Sequence, residues 1–243
     1  MGQSSTRMNS DRLLGWRAVA PALVVPFLGC LVYFVWMPEG TVGKAAYTLT
    51  KLFLLFYPLV FVCRTGWGGL WRRKDGEGAP VRWWTIIWTG ALSGVVIAAA
   101  GGGLMLTPLG EIVRGGAAGV GARADGLGFR EHYVLFAVFV SVLHSAMEEY
   151  YWRWFVYGNL SKLCSRGWAH GIAGLGFAAH HLIVTLQFFP APMAIFLSSC
   201  VAVGGVIWTV MYARQGTVVG SWISHMCVDA LLMGIGYQLL GMG

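Results

Sequence analysis

The chain has 243 residues, of which 57% are hydrophobic and only 11% charged, and its mean hydropathy is +0.65. Soluble domains carry about 25% charged residues, so this composition excludes an ordinary water-soluble core and implies a polytopic membrane protein. The net charge of +7 does not imply a nucleic-acid partner, because the basic residues follow the polar connections rather than an aromatic platform.

Residues 1–17 form a basic N-terminal tail with Arg7, Arg12 and Arg17, expected to be cytoplasmic. Its opening, Met1-Gly2-Gln3-Ser4-Ser5-Thr6, fits the loose myristoylation pattern, though one acyl chain adds little to a chain that already spans. Apolar runs near the roughly 20 residues a bilayer requires follow at 18–37, 47–63, 83–107, 133–157, 168–188, 193–212 and 217–240. The first is too long for a cleavable signal peptide. Between the second and third runs lie Arg64, Arg72, Arg73, Lys74 and Arg82, against Asp75 and Glu77. If that side is cytoplasmic, so are Lys162, Arg166 and Arg214, leaving Lys44, Arg114, Arg123 and Arg130 outside. This bias satisfies the positive-inside rule and orients the N-terminus inward and the C-terminus outward. Trp67, Trp71, Trp83, Trp84 and Trp168 sit at the ends of runs, as interfacial belts do. The predicted fold is all-α: a polytopic membrane helix bundle of about seven transmembrane helices, one domain over 18–240, without internal repeats.

Within the third run, Gly90 and Gly94 have the spacing that lets helices approach closely. The glycine-rich stretch 108–132, with Arg114, Arg123 and Arg130, reads as a flexible external connection. The five cysteines (Cys30, Cys63, Cys164, Cys200 and Cys227) show no CxxC spacing and read as small buried apolar residues, with no disulfide framework or zinc cluster.

The fourth run carries Glu148, Glu149 and Arg153 at membrane depth, where each charge costs about 2.5–3.5 kcal/mol on insertion scales. Glu149 and Arg153 are four apart and share a helix face, so they are expected to pair; a buried pair that merely fixes packing is the plain alternative. Glu148 points elsewhere, has no arginine, and is the better proton acceptor, with His144 one turn earlier. The fifth run contains His180 and His181; the seventh contains His225 and Asp229, one turn apart. By helical rise these groups fall at similar depth and can converge on one cavity. A carboxylate, imidazoles and a second carboxylate suit hydrolysis by activated water. They also suit a proton relay in a transporter.

Glu148-Glu149-x-x-x-Arg153, Phe177-x-x-x-His181 and His225-x-x-x-Asp229, in this order, resemble the three motifs of the CAAX prenyl endopeptidase type II family, whose bacterial members are called CAAX protease and bacteriocin-processing enzymes. The resemblance covers about 130–240. It implies an intramembrane endopeptidase in which Glu148 is the general base, His181 assists at the water or leaving group, and His225 with Asp229 forms the oxyanion site. Glu149 and Arg153 would support them. The family carries Asn or Asp at the last position, and Asp is the poorer donor. The family is read as glutamic or as metallo; the absence of HExxH spacing favours a metal-free site, while zinc on Glu148, His181 and His225 is the alternative. The implied partners are a peptide or protein substrate, lipid-modified or not, and membrane lipids. The implied location is the bacterial cytoplasmic membrane. A catalytically silent scaffold or bacteriocin self-immunity protein is the other reading.

Overall fold

The apolar runs become helices because only a helix satisfies its own backbone groups in hydrocarbon. The structure, a computed structural model, describes residues 2–38, 40–65, 82–126 and 128–242. Arg72, Arg73, Lys74, Asp75, Glu77, Trp67 and Trp71, together with the side chains of Arg7 and Arg12, lie outside what is described. Among the described residues there is no strand.

Helix α1 spans Gly2–Cys30 and ends in a π-helical turn, Leu31–Trp36. The tail expected over 1–17 therefore runs as helix into the first span. α2 (Thr41–Thr65) and α3 (Trp83–Leu104) follow. The next stretch corrects the expectation of a flexible connection, since it holds two short helices, α4 (Pro108–Gly115) and α5 (Ala117–Gly126). Pro108 supplies the reason at the start: its fixed φ suits the first helical position and its missing N–H is not needed there. The long helix α6 (Arg130–Leu163) meets the α4–α5 segment at a bend of 93°. α7 (Arg166–Thr185), α8 (Ala191–Gln215) and α9 (Val219–Leu239) complete the chain. Gly216 closes α8 in the left-handed region, at φ 68°, where a side chain would clash.

Five helical stretches are long and apolar enough to cross a membrane by themselves: Leu13–Trp36, Thr41–Arg64, Trp83–Leu104, Ala191–Gln215 and Val219–Leu239. A sixth is added if the bent pair containing α6 counts as one span. The structure thus supports a membrane helix bundle with a count of five or six by this measure rather than seven. The difference lies in α7, where His170, His180, His181 and several glycines dilute the hydropathy. The cysteines depart from the expected burial: Cys63 and Cys200 are exposed and the other three half-buried.

Small residues set the close helix contacts. Gly90 and Gly94 face α9, as their spacing suggested. A Cβ on Gly90 would stand 2.5 Å from the Gly220 carbonyl, and one on Gly94 would be 2.7 Å from Cys227 Cβ and 2.9 Å from the Ser224 backbone. On α7, a Cβ at Gly174 would meet Val206 of α8 at 2.7 Å, and one at Gly176 would meet Leu23 of α1 at 2.6 Å. α6 is held at several heights. Tyr133 Oη donates to the Met233 carbonyl (2.8 Å), Trp222 Nε1 to the Val142 carbonyl (3.0 Å) and Tyr151 Oη to the Ala22 carbonyl (2.9 Å). The densest core surrounds its second half, where Tyr151, Trp152, Phe155, Val156 and Leu160 are buried against Ala18, Val19, Ala173 and Phe177.

Candidate active site

The two glutamates sit on an interrupted helix. Within α6, five α-helical residues, Ser145–Glu149, lie between π-helical stretches Phe139–His144 and Tyr150–Tyr157. π-turns are rare, and their wider winding re-aims side chains, often at functional sites. Here they let residues on both sides of Glu148 turn inward. Ser145, Glu148, Glu149, Tyr151, Trp152 and Arg153 are all buried.

Glu149 and Arg153 pair as expected, with Arg153 Nη1 3.0 Å from Glu149 Oε1 and both side chains fully buried. The contact is an ion pair by distance, since none of the guanidinium nitrogens finds a well-directed acceptor. The guanidinium instead lies over the Phe177 ring at 4.5 Å and the Trp208 ring at 5.0 Å, where ring quadrupoles offset part of its lost hydration. Glu149 has a second partner: its Oε1 is 2.9 Å from His225 Nδ1. A carboxylate can only accept, so His225 donates through Nδ1 and turns Nε2 toward the other acids. His225 Nε2 lies 3.6 Å from Asp229 Oδ1 and 3.8 Å from Glu148 Oε2. Neither is a hydrogen bond at that length. The ring is stacked on Trp208, with centroids 4.1 Å apart and planes 19° apart. Trp208 Nε1 in turn donates to Ser224 Oγ at 2.9 Å, which ties α8 to the residue just before His225.

Glu148 is not the solitary acid that the sequence suggested. His144 Nε2, one turn earlier, is 3.3 Å from its Oε1. His180 Nε2 reaches the same oxygen at 3.5 Å, and His225 faces the other oxygen. The cause lies across the helices, because α7 and α9 converge here on α6. His181 Nδ1 is 2.9 Å from the Phe177 carbonyl; a carbonyl accepts, so Nδ1 carries the proton and Nε2 keeps its lone pair. Glu148, His180 and His181 place one ligand atom each within 4.8 Å of one another. The zinc alternative read from sequence used His225 in place of His180. In the structure the His225 ring is held by Glu149, and His180 joins the set instead. The residues sequence reasoning underrated are therefore His144 and His180. His144 was visible as the residue four before Glu148; His180 was obscured because adjacent helical residues point about 100° apart, so only one of the histidine pair was assigned.

The matched region coincides with this cluster. Residues 130–231 match the family model of type II CAAX prenyl endopeptidase, Rce1-like. This part of the chain is similar to that family. Neither the curated proteins nor the solved structures gave a match. The matched region spans α6 to the Leu231 position of α9 and includes every residue of the three sequence motifs. The matched family is one of endopeptidases, and two helices of the matched region, α8 and α9, are each long and apolar enough to cross a membrane.

Proposed function

We propose that the Rce1-like domain is an intramembrane endopeptidase in which Glu148 activates water to hydrolyse a peptide bond of a membrane-associated or prenylated substrate. The observation that carries this reading is the setting of Glu148: a buried carboxylate ringed by imidazoles from three helices, the third of them also flanked by Asp229. Water attacks the carbonyl carbon while Glu148 takes its proton; the C–N bond then breaks and the proton passes to the leaving amine. His181, with its Nε2 lone pair free, accepts a hydrogen bond from the same water. His225 contributes a donor to the oxyanion only when its ring carries both protons, because Nδ1–H is committed to Glu149. The Glu149 and Asp229 carboxylates on either side of the ring suit that form. Asp229 then acts through His225, holding its charge, rather than as an oxyanion donor. Glu149 and Arg153 hold His225 in place and do not touch the substrate. The charge bias of the connections further supports a cytoplasmic N-terminus, in a bacterial cytoplasmic membrane as the family's bacterial members suggest.

Glu148, His180 and His181 are also a donor set that fits zinc, a carboxylate and two imidazoles. An ion held by them would supply Lewis-acid activation of water. Purified protein in detergent micelles should release the C-terminal fragment of a dansylated, S-farnesylated peptide ending in Cys-Val-Ile-Met, read by mass spectrometry. A glutamate-driven reaction keeps its rate after exhaustive treatment with a strong chelator. Near-stoichiometric zinc, lost together with activity and restoring it on return, would overturn the metal-free mechanism. No release of fragment by well-folded protein would overturn the peptidase reading for this peptide class.

A further inference from the structure

Lys51 lies within α2, ten residues from the start of that helix and well inside a membrane span. Such a cation is costly in hydrocarbon and calls for a partner or a use. Among the described residues it makes no ion pair. Its ammonium rests over the Tyr47 ring at 5.3 Å. Tyr47 packs on Tyr33 of the α1 π-turn, with ring centroids 4.9 Å apart, and the Arg123 guanidinium of α5 lies over the Tyr33 ring at 4.8 Å. Arg123 Nε and Nη2 are buried and have no hydrogen-bond partner. Two cations thus flank one tyrosine pair, and neither makes an ion pair with an acid among the described residues.

This strip leads to the catalytic cluster. α2 packs directly against the Ser145–Glu149 segment, and Tyr150 Oη donates to the Leu55 carbonyl of α2 at 3.2 Å. Leu55 is one turn beyond Lys51 on the same face, and Tyr150 is two residues beyond Glu148. Lys51 therefore lies one helical turn from the point where α2 meets the segment that carries Glu148. The crossing that sets this approach is tight: a Cβ on Gly29 would overlap the Thr50 side chain, next to Lys51.

We propose that Lys51 receives a carboxylate of the peptide substrate and so selects which bond lies at Glu148, with Arg123 extending the positive strip along the approach. This rests on the peptidase reading of the site. The ligand chemistry follows from what is missing. An ammonium with aromatic rings around it but no ion-pair partner recovers its lost hydration best from an anion, and a peptide brings carboxylates either at its C-terminus or on an acidic side chain. Lys51 lies outside the 130–231 match, so this specificity would belong to the N-terminal part of the chain rather than to the matched domain.

The test uses three dansylated, S-farnesylated peptides: the free acid, its C-terminal amide, and the amide with glutamate in place of the residue before last. Fluorescence anisotropy reads binding to the full-length protein carrying Glu148→Gln, with and without Lys51→Met, and the Lys51→Arg variant is compared. A carboxylate at Lys51 predicts at least tenfold tighter binding of the acid than of the amide, a preference that collapses in Lys51→Met and persists in Lys51→Arg. If the glutamate-bearing amide binds like the acid, the side chain can serve as the carboxylate; if it binds like the plain amide, the C-terminus is the source. Either pattern supports the contact. Equal binding of acid and amide, no binding at all, or a preference that survives Lys51→Met overturns it and leaves Lys51 as a lysine that snorkels toward the interface. Acid-selective binding through Lys51 with no cleavage by the parent protein would instead sustain the contact and sink the peptidase reading.

Discussion

Glu149 joins two groups that could not be buried without it. Its Oε1 lies 3.0 Å from Arg153 and 2.9 Å from His225 Nδ1, so a single oxygen both balances a cation and fixes an imidazole tautomer. Replacing Glu149 with alanine strands the fully buried Arg153, and breaking such a pair costs about 3–5 kcal/mol. The Phe177 and Trp208 faces do not offset this loss, because they already hold the guanidinium in the parent protein. The double variant Glu149→Ala/Arg153→Leu removes the charge along with its partner, so it should melt at higher temperature in detergent than Glu149→Ala alone. Both variants should lose most activity, because His225 is then free to turn. A double variant no more stable than the single one would show that Arg153 is hydrated or otherwise neutralised. The Glu149–Arg153 pair was legible from four-residue spacing alone. The Glu149–His225 bond was not, because it joins residues 76 apart in sequence and depends on how α6 and α9 cross.

At the scale of the helix, the site depends on two kinds of irregularity. The π-turns on either side of Ser145–Glu149 rotate the following residues, so that Tyr151, Trp152 and Arg153 all become buried. A regular helix would have turned one of them outward. No sequence signal marks these turns. The small-residue contact of α3 on α9 was readable, and it bears on catalysis through Ser224 and His225. Gly94→Leu places a branched side chain where even a Cβ would be 2.7–2.9 Å from Cys227 and the Ser224 backbone. It should therefore displace α9, at a cost of about 1–3 kcal/mol for overpacking, and lower peptide hydrolysis more than tenfold. Gly101→Ala, whose added methyl would sit 3.3 Å from the tip of the flexible Leu231 side chain, should leave both melting temperature and rate near the parent values. Equal effects from the two substitutions would contradict a specific role for the Gly94 contact.

Across the whole molecule, composition and hydropathy made the membrane bundle legible, and three short motifs marked the residues that α6, α7 and α9 bring together. Spacing could not show the structured α4–α5 segment, where Gly116 and Gly119 favoured a loop reading while Pro108 and the packing against Phe188 and Phe189 favour helix. Nor could it show that His180 closes on Glu148 beside His144, since that contact exists only once α7 converges on α6. The central claim concerns that carboxylate, and Glu148→Gln tests it most directly. Glutamine keeps the shape and can hydrogen-bond to the surrounding imidazoles, but it cannot take a proton from water. Purified Glu148→Gln protein should retain the parent melting temperature within a few degrees and cleave the farnesylated peptide at least a hundredfold more slowly, in line with about 10²–10⁴ for a positioned acid–base group. A folded Glu148→Gln enzyme that hydrolyses the peptide at the parent rate would contradict the assignment.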